Sequence, residues 1–267
     1  MLSARDVWFD YDARSPVLRG VSLDVPSNAL VGILGPNGSG KTTFLRLLAG
    51  TRDPRRGTVT LDGQPLRSRS RAALARRIAV VPQETHLAFD YSVAEVAMMG
   101  RYPHLGAFEI EGPRDAEAVH AALAATGTGH LADRQFATLS GGEKQRVVIA
   151  AALAQISDPL DEAATRVLLL DEPTASLDLG YQLDVITVLQ KLNTEHGLSI
   201  AISTHDLNLA VSLCRTLLLI RDGRMVATGP ADEVLTPESI RALYGVDAEI
   251  VQRPSGGRAI LALRRTS

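Results

Sequence analysis

Residues Gly35-Pro36-Asn37-Gly38-Ser39-Gly40-Lys41-Thr42 satisfy the pattern G-x-x-x-x-G-K-[ST] at every fixed position. Glycines so placed let backbone N–H groups converge on α- and β-phosphates. The lysine then reaches the β- and γ-phosphates, and the threonine hydroxyl can ligate Mg2+. The flanking residues support the match: Leu30 to Leu34 reads as a short buried strand, and Thr42 to Ala49 as a helix stopped by Gly50. Phosphate is thereby delivered to a helix N-terminus, where unpaired N–H groups and the helix dipole favour anions. The alternative, a glycine-rich turn that fits by chance, leaves this strand–loop–helix setting unexplained.

Two further constellations bear on the same chemistry. Val167-Leu168-Leu169-Leu170 is an apolar strand ending in Asp171-Glu172. A phosphate-loop enzyme needs an acid at such a strand end to hold Mg2+, directly or through water, and Asp171 fits. Glu172 could orient or deprotonate the attacking water. The plainer reading is an acidic pair on the surface.

Leu139-Ser140-Gly141-Gly142-Glu143, followed by Lys144-Gln145-Arg146, has capping-box spacing between Ser140 and Glu143. A well-started helix accounts for those two residues. It does not account for consecutive glycines in the first turn, which weaken a helix. Glycines there make sense where a ligand approaches the backbone. That would be a second phosphate-binding helix N-terminus in a chain with one phosphate loop, so the halves of a site could come from different copies.

The elements that must carry these residues alternate. Val7 to Tyr11, Val21 to Val25 and Thr58 to Leu61 (before an Asp62-Gly63 turn) read as a small antiparallel sheet. Ile78 to Val81 is a short strand closed by Pro82. From about Glu84 to Gln155 the sequence turns alanine-rich and helix-permitting, which reads as a helical subdomain inserted into the core. Strands return at Val167 to Leu170, Ser199 to Ser203 and Leu217 to Ile220. Helices at Leu179 to His196 and Asp206 to Cys214 separate them. This alternation predicts an α/β fold with a mostly parallel sheet. The expected division is 1–235 for the core with its 84–155 insertion, then 236–267 as an extension of one helix and two strand-like runs around Pro254-Ser255-Gly256-Gly257.

Bulk properties narrow the class. The 267 residues are 45% hydrophobic and 22% charged, with net charge −2, so no overall basic field exists to grip nucleic acid. Cys214 is the only cysteine, which fits a reducing compartment and excludes an intrachain disulfide or cysteine-based zinc cluster. The first residues lack the apolar core of a secretion signal, and no run approaches the ~18 apolar residues of a bilayer span. Any membrane role is expected to run through a partner.

In this order, the phosphate loop, the Ser140-Gly141-Gly142-Glu143 signature and the strand ending Asp171-Glu172 resemble the ATP-binding cassette (ABC) ATPases, over about Leu2 to Tyr244. The resemblance implies a P-loop ATPase core with an N-terminal antiparallel β subdomain. It implies ATP binding by Gly35 through Thr43, with Tyr11 stacking on adenine, or serving merely as a sheet residue. Gln83 would sense Mg2+ and the attacking water, giving Thr42, Gln83 and Asp171 as the Mg2+ set. Ser176-Leu177-Asp178 matches the loop that crosses the dimer interface, with Asp178 as its key acid. His205 matches the histidine that contacts the γ-phosphate. It follows a predicted core strand at the edge where the ligand of an open α/β sheet lies; His86, His104, His120, His130 and His196 read as ordinary polar residues.

The implied mechanism is ATP hydrolysis in a head-to-tail homodimer. Each ATP would lie between the phosphate loop of one copy and Ser140, Gly141, Gly142 and Glu143 of the other. Catalysis would rest on Glu172, His205, Lys41 and Gln83. One cassette, with no coiled coil and no fused membrane helices, fits a separate importer subunit. Such a subunit sits peripherally on the cytoplasmic face of the inner membrane, bound to permease subunits and served indirectly by a substrate-binding protein. Met99-Gly100-Arg101-Tyr102-Pro103-His104, Ser203 to Ala210, Leu235-Thr236-Pro237-Glu238 and Tyr244-Gly245-Val246 resemble importers of ferric siderophore, haem or cobalamin. Arg101 to His104 are expected to face the permease. The long acidic stretch Ile156 to Arg166 resembles haem importers somewhat. The competing readings are a non-transport ABC ATPase of DNA repair or translation, and a nucleotide-gated regulator of low turnover.

Overall fold

The computed structural model describes residues 1–12, 15–85, 87–158, 164–252 and 257–265. His86, residues 159–163 of the acidic stretch and Pro254-Ser255-Gly256 lie outside them. The chain divides into two compact units, Met1–Ser68 with Ile200–Ser267, and Arg69–Ser199.

In the first unit, β1 (Leu2–Asp10) buries Leu2, Ala4, Val7 and Phe9, with its alternation reset by Asp6, which adopts φ 46. It starts five residues before the expected Val7, because Leu2 to Ala4 also pair. β1 lies antiparallel to β2 (Pro16–Val25), and next to it come β3 (Leu30–Leu34) and α1 (Lys41–Leu48) in the sequence. β4 (Arg56–Leu61) pairs with the other edge of β1, and Asp62-Gly63, both left-handed, turns it into the two-residue β5 (Gln64–Pro65). The order β2-β1-β4-β5 is the expected antiparallel sheet. All five residues of β3 are buried, the mark of a strand covered on both faces.

The second unit opens with α2 (Arg71–Ala75), capped by Ser70, and β6 (Ile78–Val81). Three helices follow: α3 (Val93–Met98), α4 (Pro113–Ala125) and α5 (Gly141–Ile156). Capping boxes start α3 at Ser92/Glu95 and α5 at Ser140/Glu143, and Pro113 occupies the first turn of α4. β7 (Val167–Asp171) runs parallel to β6 with Val81 opposite Leu170. α6 (Leu179–His196) ends at Gly197, which takes φ 61. Leu168, Leu169 and Leu170 are fully buried, each stabilising the fold by about 1.5–3 kcal/mol.

The remaining chain returns to the first unit. β8 (Ser199–Thr204) and β9 (Thr216–Arg221) flank β3 in parallel, with α7 (Leu207–Leu213) between them in sequence. β10 (Arg224–Pro230) adds antiparallel to β9 across the left-handed Asp222-Gly223 turn. Then come α8 (Ala231–Val234), α9 (Pro237–Tyr244) and a hairpin of β11 (Val246–Gln252) with β12 (Arg258–Arg265). Cys214, just after α7, packs against Gly32 of β3, and burial pushes its thiol up to about 12. Parallel strands, an antiparallel N-terminal sheet and the helices between them in sequence make this the expected α/β P-loop fold.

Candidate nucleotide site

The phosphate loop joins β3 to α1. Gly38 and Gly40 hold φ 78 and 104, left-handed values that a side chain would strain. A Cβ on Gly40 would also meet Leu18, whereas Gly38 faces open space. Gly40 is the N-cap of α1 and supplies no side-chain cap, so the first N–H groups of the helix keep their donor capacity for a ligand. The Ser39 hydroxyl is buried and has no hydrogen-bond partner among the described residues. Buried polar groups are seldom left so, and an anion in the loop would satisfy this one. Lys41 curls back over the loop, its Nζ donating to the carbonyls of Gly35 at 2.8 Å and Pro36 at 3.2 Å. Thr42 is exposed in the first turn of α1.

Tyr11 and His205 belong to the same unit. The Tyr11 ring is 55% exposed and meets Phe9 edge-on, so it retains a face for a planar ligand. Its hydroxyl is not free: it bonds to Thr43 Oγ1 at 3.2 Å and accepts from Arg46 at 3.1 Å. Partial burial opposes ionisation of this phenol, but the bonds to Thr43 and Arg46 outweigh it and lower its pKa. β3 and β8 are neighbours with Leu34 opposite Thr204, and the Gly35 N–H bonds to the Thr204 carbonyl at 3.4 Å. His205 therefore leaves the end of the predicted strand beside the first residue of the phosphate loop.

In the 69–199 unit, the parallel pairing of Val81 with Leu170 brings Pro82-Gln83 and Asp171 out at the same edge. Gln83 is exposed and Asp171 buried. Glu172 holds φ 48, left-handed backbone that a non-glycine residue adopts only when its surroundings impose it. Strain of this kind gathers at functional sites, and it fixes where the Glu172 carboxylate departs. Mg2+ characteristically takes one or two carboxylates with phosphate and water, so buried Asp171 at this edge fits it without a dense acidic cluster.

The signature helix starts as predicted. Ser140 Oγ accepts from the Glu143 N–H at 3.3 Å, and Glu143 accepts from the Ser140 N–H at 2.8 Å. That backbone donor holds the Glu143 carboxyl below its usual range. Gly142 has a reason internal to the chain that sequence alone does not reveal: a Cβ there would run into the Tyr181 ring. A Cβ on Gly141 would sit 3.3 Å from Leu177. The Ser140–Gly142 turn and the Ser176–Asp178 loop are thus packed together in one chain. Asp178 is the N-cap of α6 yet makes no side-chain capping bond.

Arg101 departs from expectation. Its side chain turns inward, donating to Asp115 at 2.9 Å and to the carbonyls of Ala154 and Ser157 at 2.6 and 2.7 Å. His104 Nε2 lies 2.8 Å from the Gln155 carbonyl. Of this motif only Tyr102, 59% exposed, presents a large surface outward. Arg101 and His104 clamp the end of α5, where the Arg101 cation complements the helix dipole.

Comparison with known proteins agrees with this geometry. The ABC transporter family model matches residues 18–175. The hemin import ATP-binding protein HmuV of Bordetella pertussis is 41% identical over 251 residues, covering 94% of this chain and 95% of its own. HmuV of Pseudomonas putida is 42% identical over 93% of this chain and 94% of its own. The cobalamin import ATP-binding protein BtuD of Halobacterium salinarum is 40% identical over 92% of this chain, which spans 59% of that longer protein. Among solved structures, an inward-facing transporter assigned to the metal-chelate ABC type superposes with TM-score 0.83 at 29% identity, over 98% of this chain and 96% of its own. A dimeric bacterial ABC cassette gives 0.72 at 26% identity, over 86% and 99%. The chain belongs to the ABC transporter family.

Proposed function

We propose that this chain is the ATP-hydrolysing subunit of an importer, and that the imported substrate is hemin. The observation that carries the reading is end-to-end similarity to hemin import ATP-binding proteins, over 94% of this chain and 95% of the relative. Gly35 through Thr43 would hold the phosphates, and Tyr11 the adenine. Glu172, presented by its left-handed backbone, would orient the attacking water. His205, beside Gly35, would donate to charge developing on the γ-phosphate. Thr42, Gln83 and Asp171 would hold Mg2+, which when bound neutralises charge on the phosphate oxygens.

Each site would be completed by Ser140, Gly141, Gly142 and Glu143 of a second copy, with the uncapped Asp178 reaching across. The helical stretch 84–155 is read as the subdomain that meets the permease. No helix among the described residues is long and apolar enough to cross a membrane. The chain would then act from the cytoplasmic face, bound to separate permease subunits. Closing on ATP and opening after hydrolysis would supply the stroke.

The test is growth of host cells lacking this chain, with hemin as sole iron source. The chain should restore growth, and a Glu172→Gln variant should not. Normal growth of the deleted cells on hemin, together with lost cobalamin uptake, would overturn the substrate. Normal hemin and cobalamin uptake would overturn the importer reading.

A further inference from the structure

The extension after Leu235 reaches the loop that carries His205. The Tyr244 hydroxyl, at the last residue of α9, donates to the backbone carbonyl of His205 at 3.1 Å. We propose that the extension holds His205 in place, with Tyr244 as the positioning residue. The proposal rests on the reading that His205 acts at the γ-phosphate.

Three features make α9 a firm mount. Its inner residues Ile240 and Leu243 are almost fully buried. Thr236 caps its start, and Gly245 ends it at φ 67. Arg221 donates to the Ala242 carbonyl at 2.6 Å, clamping the final turn one residue pair before Tyr244. The hairpin beyond is tied to the same helix through Asp247, which accepts from Arg241 at 2.6 Å and from Arg264 at 3.0 Å.

That hairpin grips the His205 loop from its other end. The Asn208 side-chain amide donates to the Ile260 carbonyl at 3.1 Å and accepts from the Ile260 N–H at 2.9 Å, a two-way bond that extends β12 onto α7. Between these anchors, Asp206 accepts from the N–H groups of Asn208 and Leu209 and starts α7. The segment from His205 to Asn208 is therefore fixed by Tyr244 at its beginning and by Ile260 at its end. A histidine on an exposed loop would otherwise sample several backbone settings. Holding it to within a fraction of an ångström is what a donor to a transferring phosphoryl group requires.

The experiment is a double-mutant cycle of Tyr244→Phe and His205→Ala in the full chain. It reads kcat and KM for MgATP hydrolysis, binding of a fluorescent ATP analogue, and Tm. Tyr244→Phe removes one hydroxyl, so kcat should fall about threefold to tenfold while KM, analogue binding and Tm stay put. In the His205→Ala background the same change should alter kcat by less than about twofold. A Tyr244→Phe variant with unchanged kcat, or with an equal loss in both backgrounds, would overturn the positioning role and leave the His205 reading intact. A His205→Ala variant that hydrolyses ATP at the wild-type rate would overturn the His205 reading and this one with it. Should His205→Ala fold poorly, His205→Gln serves the same cycle.

Discussion

Arg101 and Asp115 meet at 2.9 Å inside the 69–199 unit, with both side chains nearly closed off from water. Fourteen residues apart in sequence, they join the turn after α3 to the start of α4, while Nη1 of the same guanidinium grips the end of α5. Losing one member of a buried pair leaves an uncompensated charge, whereas losing both to apolar side chains is close to neutral. Asp115→Ala should therefore lower stability in urea by about 3–5 kcal/mol. The pair Arg101→Met with Asp115→Leu should recover most of it. A neutral Asp115→Ala would sink this account.

The same pair sets an acid limit. Burial opposes ionisation of Asp115, but the Gly112 N–H and Arg101 outweigh it and hold the carboxyl below its ordinary 3.8. A lowered native value means the contribution is complete above the unfolded value and is lost as pH falls through the native one. The apolar double variant should lose less stability than the wild type on acidification below 3.8.

His104 acts in a higher window. Burial lowers its pKa below 6.5, Arg101 and Arg76 lower it further, and the Gln155 carbonyl and Asp158 oppose them. The unfolded chain then takes up a proton that the native chain refuses. Stability from this residue is full above 6.5 and declines as pH drops toward the native value. Urea midpoints at about pH 7.5 and 5.5 should differ more for the wild type than for His104→Asn. Equal differences would count against it.

Glu172 lets backbone strain and turnover be measured apart. Glycine accepts φ 48 without strain, so Glu172→Gly should be more stable than Glu172→Ala by up to about 1 kcal/mol, the relief being offset partly by glycine's greater chain entropy. ATP hydrolysis should fall by about 100-fold or more in both. Thermal melts and phosphate release, measured together, check both halves; a glycine variant no more stable than the alanine one would show that the strain is not where the backbone puts it.

Gly142 separates packing from catalysis. Gly142→Ala should destabilise the chain, because its methyl meets the Tyr181 ring. Adding Tyr181→Ala should restore stability without restoring ATP hydrolysis if the glycine also serves a phosphate. Recovery of both would make the glycine a packing residue alone.

What could be read from sequence was local. The phosphate loop, the Ser140/Glu143 box and the Gly197 stop each place their signal within a few residues of the structure they create. The start of β1 and the whole of β10 were missed, although Asp222-Gly223 carries the same two-residue turn signal recognised at Asp62-Gly63. Nothing near Arg101 announces that its partner is Asp115 and its acceptors Ala154 and Ser157. A charged residue in a helix end reads as surface until the tertiary fold supplies its pair. Gly142 has a packing reason that is hidden for a related cause: Tyr181, which excludes its side chain, lies on another helix.

Cys214 gives the molecule its own gauge. Its thiol is buried against the strand that carries the phosphate loop, and it is the only cysteine in the chain. With its pKa pushed up to about 12, it stays a poor nucleophile while the fold is closed. A thiol reagent therefore labels this protein only in moments when the sheet beneath the loop opens. The rate of that labelling, with and without MgATP, would time how far the nucleotide stills the strand from which its own loop springs.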